Sequence, residues 1–171
     1  MICATANADL LISATGHNCI EDIPAPPLDN RDAGMTDEWP LWSFLELGAY
    51  TEAVRCARLH AQLVLREWGF GELIDTCALV VSELVTNSVQ ASRAAGEFTT
   101  VRLWLFSDKE KVLILVWDGL PQSPAPRTAV DELAESGRGL FLVGRMSEQW
   151  SWYPVAAGGK VVWALCSEAA G

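Results

Sequence analysis

The sequence predicts an α/β protein, a two-layer sandwich in which helices cover one face of a mixed, largely antiparallel sheet. Three observations carry this reading. Apolar residues recur at helical spacing over two consecutive stretches, and alternate or run continuously over five shorter ones. The two kinds follow one another in the order β-α-α-β-β-loop-α-β-β, which suits helices packed on one side of a sheet.

Composition bounds the rest. The chain has 171 residues, half of them hydrophobic, which at ~150 residues per domain favours one core with an attached tail. Acidic residues number 22 against 12 basic ones, a net charge of −10. That balance argues against nucleic acid as a partner, because phosphate contacts need a basic surface. No apolar run approaches the ~18–20 residues of a membrane span. The chain also does not open with the basic and apolar segments of a secretory signal. A cytoplasmic protein is the expectation. The five cysteines (Cys3, Cys19, Cys56, Cys77 and Cys166) are scattered, and His17 and His60 are the histidines. Zinc sites need these residue types clustered at ligand spacing, so no structural metal is expected. Cys56, Cys77 and Cys166 read as small core residues, in keeping with a reducing compartment.

Residues 1–37 hold six acids and one base, three prolines (Pro24, Pro26 and Pro27) and no sustained period. They read as an acidic, loosely docked extension ahead of a domain over 38–171. Trp39–Leu47 is apolar and aromatic enough for a strand. Thr51–Trp68 reads as a helix with Thr51 as cap, an apolar stripe of Ala57, Ala61, Val64 and Trp68, and Gly69 as its stop. A second helix runs from about Gly71 to Ala95, its stripe formed by Leu73, Cys77, Val80, Leu84 and Val89. Thr99–Phe106 and Lys111–Trp117 are strands joined by Ser107-Asp108-Lys109-Glu110. In the first of them Val101, Leu103 and Leu105 face away from Arg102, Trp104 and Phe106. Residues 119–136 form a long stretch punctuated by Pro121, Pro124 and Pro126, of the kind that serves as a lid. A short helix over about Leu140–Glu148 follows, then strands near Trp150–Tyr153 and Lys160–Cys166. Most of the eight tryptophans fall in or beside these elements and read as packing residues. Trp39 and Trp42 are candidates for a homodimer interface as well.

Three short motifs carry chemistry. Glu83 and Asn87, in Ser82-Glu83-Leu84-Val85-Thr86-Asn87, lie one turn apart on one helix face. Asparagine is a poor helix-interior residue, so its place beside a carboxylate suggests an oxygen ligand for a hard cation such as magnesium. A solvated helix face is the plain alternative. Asp118-Gly119 ends a continuous apolar strand. There a carboxylate can accept from an exocyclic amine and a glycine lets a ligand approach, although Asp-Gly is also an ordinary turn. Gly137-Arg138-Gly139 stands directly before a helix, where unpaired N–H groups and the helix dipole favour phosphate and an arginine adds a charge-assisted contact. Common loop-to-helix turns share that pattern.

Taken together and in this order, the motifs resemble the Bergerat ATP-binding fold of the GHKL superfamily. Over about residues 45–166 the chain is most similar to the anti-sigma-factor serine kinases, through the words SELVTN, VWDG, ESGRGLFLV and GGKVVWAL. The resemblance implies ATP and Mg²⁺ as cofactors. It implies that Asn87 holds the magnesium and that Asp118 recognises the adenine amine with Gly119 lining the base. Gly137, Arg138 and Gly139 then meet the phosphates, and Glu83 is the general base. The implied activity is phosphorylation of a serine or threonine on a small antagonist protein, with sequestration of a sigma factor or similar regulator. A nucleotide-dependent binding module without catalysis is the alternative. The chain departs from the superfamily pattern in lacking a histidine in Ser88-Val89-Gln90-Ala91-Ser92. It departs again with Leu120-Pro121 after the Asp-Gly pair, and with Glu135 where kinase-competent relatives often carry arginine.

Overall fold

The computed structural model describes residues 2–7, 39–97, 99–124 and 139–167. Within them lie six strands: β1 (Ile2–Asn7), β2 (Leu41–Gly48), β3 (Thr100–Ser107), β4 (Lys111–Asp118), β5 (Gln149–Pro154) and β6 (Lys160–Ser167). Three helices complete the described fold: α1 (Glu52–Glu67), α2 (Leu73–Ala95) and α3 (Gly139–Met146). The strands form one sheet in the order β1-β2-β3-β4-β6-β5.

The α/β sandwich is the predicted one, but where a mixed sheet was expected every neighbouring pair among the described residues is antiparallel. The connections explain this. α1 and α2 together carry the chain out and back, so β3 starts at Thr100 opposite Gly48, where β2 ended. Hairpins join β3 to β4 and β5 to β6. β4 and β5 run the same way, but β6 lies between them and pairs with both.

The N-terminal stretch contributes a strand for which the sequence carried no signal. Ile2–Asn7, placed by sequence in the extension, pairs along β2 from Ile2 opposite Glu46 to Asn7 opposite Leu41. Without it β2 would be a sheet edge with a row of unpaired backbone groups, which any proline-free segment can satisfy. The rest of the extension, and residues 125–138 of the long loop, lie outside the described residues.

α1 buries Ala57, Ala61 and Val64 as its period predicts. Thr51 precedes it in helical backbone geometry and makes no side-chain capping bond, so the expected cap is not used. α2 buries Leu73, Cys77, Val80, Leu84 and Val89 along the predicted stripe, and Val81 and Val85 beside it. It ends at Gly96, whose left-handed backbone lets Glu97 N–H reach back to Ser92 C=O. A hydrogen bond with Cys166, then burial, pushes the Cys77 thiol well above its ordinary range, in keeping with a core role.

Strand alternation builds two apolar clusters. Leu45, Leu103, Leu105, Ile114, Val116 and Ala164 face the helices and pack with α1, α2 and α3. On the opposite face Phe44, Trp104, Phe106, Leu113, Leu115 and Trp163 form a second buried cluster with Trp39. Burial on both faces explains why β4 and β6 read as nearly unbroken apolar runs. It also places Trp39 inside the chain's own packing, with Trp42 partly buried against the same cluster.

Candidate functional site

The site assembles where α2 passes the ends of β4 and β6. Glu83 and Asn87 project from one face of α2, and the first residue of α3, Gly139, lies against both. A Cβ placed on Gly139 would stand 2.6 Å from Glu83 Oε2 and 3.5 Å from Asn87 Oδ1. Only glycine therefore fits at the start of α3 without pushing the carboxylate aside. α3 is held there by Leu140 and Val143, which are buried in the core beneath it. The first turn of such a helix has N–H groups with no partner in the helix, the donor set that an anion needs.

Asp118, the last residue of β4, is 1% exposed. Its Oδ1 accepts from Lys160 Nζ at 2.7 Å and from Leu120 N–H at 3.1 Å, and its Oδ2 accepts from Ser88 Oγ at 2.8 Å. Ser88 follows Asn87 on α2, so one hydrogen bond ties the Asn87 helix to the Asp118 strand. Lys160 opens β6 directly opposite Asp118 and is 4% exposed. Its ammonium also donates to the Leu120 carbonyl at 3.2 Å. The turn before it is crowded: a Cβ on Gly159, at φ +79°, would overlap the Asp118 carbonyl oxygen. Gly119 is not crowded in this way, since a Cβ there would meet only Trp117 and Thr99 at ordinary contact distance.

The structure thus brings Glu83, Asn87 and Gly139 together and links Asp118 to them through Ser88. Gly137 and Arg138 lie outside the described residues. Lys160 and Ser88 were missed as site residues. The available signal for Lys160 was a lone cation opening the apolar strand Val161-Val162-Trp163-Ala164-Leu165. For Ser88 it was a small polar residue one position from Asn87.

Do these groups suit magnesium and ATP? Among the described residues, Asn87 Nδ2 is buried without a hydrogen-bond partner, which leaves that end of its amide open to a ligand. Amide oxygen and nitrogen are interchangeable by a flip, which makes Asn87 a fit for a cation. Among the described residues no group of three or more His, Cys, Asp or Glu could hold a metal. Magnesium takes one or two protein ligands and completes its shell with water and phosphate oxygens, so one asparagine oxygen is a sufficient protein contribution. The Asp118 carboxylate is an acceptor of the kind a base amine needs, and within the chain it is engaged by Lys160, Leu120 and Ser88.

No helix among the described residues is long and apolar enough to cross a membrane. Among curated proteins, none matches the sequence closely enough to count as a relative. The family described as a histidine kinase-like ATPase domain matches residues 47–165, from the end of β2 into β6. That span contains Glu83, Asn87, Asp118 and Gly139, in the order and the arrangement just described. ATP binding in a regulatory domain is the role this match supports, and by it the chain belongs to the histidine kinase-like ATPase domain family.

Proposed function

We propose that the chain is a serine/threonine protein kinase of the anti-sigma-factor type, using Mg-ATP to phosphorylate a small antagonist protein. Asn87 holds the magnesium, Asp118 takes the adenine amine, and Gly137, Arg138 and Gly139 meet the phosphates. Bound Mg-ATP supplies the transferable phosphoryl group and neutralises its charge. Glu83 accepts the proton of the partner's hydroxyl as that oxygen attacks phosphorus and ADP departs.

The observation that carries this reading is the position of Glu83. On one side its carboxylate touches the start of α3, beside Asn87. On the other it lines a groove of about 580 Å³ between α1 and α2, with Arg55, Arg58, Thr86 and Arg93. This position, against the start of α3 on one side and the groove on the other, is what supports Glu83 as the base for an incoming hydroxyl. The three arginines are exposed, in a chain of net charge −10, and suit an acidic partner segment.

The second reading, a nucleotide-dependent binding module, is favoured by Leu120-Pro121 after Asp118-Gly119 and by Glu135 where kinase-competent relatives often carry arginine. The experiment that separates the two is incubation of wild type and Glu83→Gln with labelled ATP and a co-purified partner. The kinase reading expects phosphoserine or phosphothreonine on the partner. Glu83→Gln should keep ATP affinity and lose transfer by roughly two to four orders of magnitude. A wild type that binds ATP and partner and transfers nothing is a binding module.

A further inference from the structure

The Asp118–Lys160 pair has a consequence for nucleotide entry. Three donors already reach the Asp118 carboxylate, and the residue is almost wholly buried. An adenine amine is a fourth donor, and a neutral one. The lysine ammonium makes a charge-assisted bond, stronger than a neutral one of the same geometry. Of the three partners, Leu120 N–H belongs to the adjoining backbone and Ser88 is held on α2. Lys160 reaches Asp118 through a long, rotatable stem, and so is the partner able to leave.

Resting on the reading that a nucleotide base is recognised at Asp118, we infer that Lys160 is an internal competitor of that base. In the nucleotide-free chain its ammonium holds the acceptor position that the adenine amine needs, and ATP binds by displacing it. Lys160 therefore sets how tightly adenine nucleotides bind, as an affinity-determining residue rather than a catalytic one. The site is built for this opposition. β4 and β6 place Asp118 and Lys160 directly across from each other. The close approach of Gly159 to the Asp118 backbone holds the start of β6 in position. The ammonium is further retained by the Leu120 carbonyl.

The test compares wild type with Lys160→Thr by titration calorimetry, using Mg-ATP and Mg-ITP, and by thermal unfolding. Threonine is too short to take the place of the ammonium and leaves Asp118 buried with an acceptor open. Three results are expected together. Without nucleotide the variant melts at a lower temperature than wild type. It binds ATP about tenfold more tightly or better, and ATP raises its melting temperature by more than it raises that of wild type. ITP lacks the exocyclic amine and gains nothing. Lys160→Gln keeps a neutral donor of similar length and should gain less than Lys160→Thr. It serves as the reporter should the threonine variant not fold. The inference is overturned if a folded variant binds ATP no more tightly than wild type, or if ITP gains as much as ATP. Wild type that binds ATP while the variant shows no gain refutes the competition and leaves the nucleotide reading standing. Absence of any adenine nucleotide binding by both folded proteins up to millimolar concentration refutes the nucleotide reading and the competition with it.

Discussion

Residues that look equivalent in the sequence differ sharply in what they hold up. Asn87 and Asp118 both read as nucleotide ligands, yet among the described residues Asn87 leaves a buried amide nitrogen without a partner and Asp118 anchors a network. Asn87→Ala should therefore abolish Mg-ATP binding with a melting temperature unchanged or higher, which calorimetry and thermal unfolding can read side by side. Asp118→Ala strands the buried Lys160 ammonium, and loss of one partner of a buried pair costs about 3–5 kcal/mol. Its loss of ATP binding should come with a large fall in denaturation midpoint. Asp118→Asn together with Lys160→Gln should recover much of that stability and none of the binding. Gly159→Ala is the backbone counterpart. Positive φ and overlap with the Asp118 carbonyl should cost about 2 kcal/mol or more, against a negligible effect for Gly119→Ala on stability.

At the scale of elements, two joints are open to measurement. The β3–β4 hairpin turns through Lys109 at φ +82°, a backbone conformation glycine adopts without strain. The turn is held by Asp108 Oδ1, which accepts from the backbone N–H of Glu110 and Lys111 at 2.8 and 2.6 Å. Lys109→Gly should raise stability by about 0.5 kcal/mol in urea unfolding, since relief of strain exceeds the entropy glycine adds to the unfolded chain. The second joint is between α1 and β2, where His60 Nε2 and Ser43 Oγ lie 2.8 Å apart. Burial lowers the His60 pKa from its ordinary 6.5. The unfolded chain then binds the proton more readily than the folded one. Stability is full above about pH 6.5 and falls as pH drops through that value toward the folded pKa. His60→Gln should flatten this acid limb between about pH 7 and 5, and an unchanged slope would assign the limb to other groups.

The described residues build a sheet buried on both faces. The helix-side cluster and the aromatic cluster share β3, β4 and β6, so neither can loosen without the other. Trp163→Ala, on the aromatic face, should cost about 3–5 kcal/mol, at least as much as Leu84→Ala beneath the helices. Both variants should keep one cooperative transition in denaturant, whereas separate transitions would mean that the two clusters fold independently. The charge distribution acts at the same scale. Arg55, Arg58 and Arg93 concentrate positive charge on one groove of an acidic molecule. Charge reversal at Arg58 should slow association with an acidic partner and reduce its salt dependence, leaving ATP affinity unaltered.

The elements were legible because each is encoded locally. The stripe over Leu73–Val89 has a period of 3.6, β3 alternates, and glycines stand where α1 and α2 stop. The motif order around Glu83, Asn87, Asp118 and Gly139 was legible too, since spacing within a helix or at a strand end reports which side chains share a face. Strand neighbours were not. Antiparallel pairing throughout, and the recruitment of Ile2–Asn7 to β2, depend on which backbone edge is left open after the helices return the chain. The same holds for the partners of Asp118. Ser88 lies 30 positions before it and Lys160 42 after it, and no local pattern relates them. The sequence by itself determined that a carboxylate ends an apolar strand and that a glycine opens the helix after the long loop. Only the tertiary structure decided that a lysine from the next strand occupies that carboxylate, because register across β4 and β6 sets that contact.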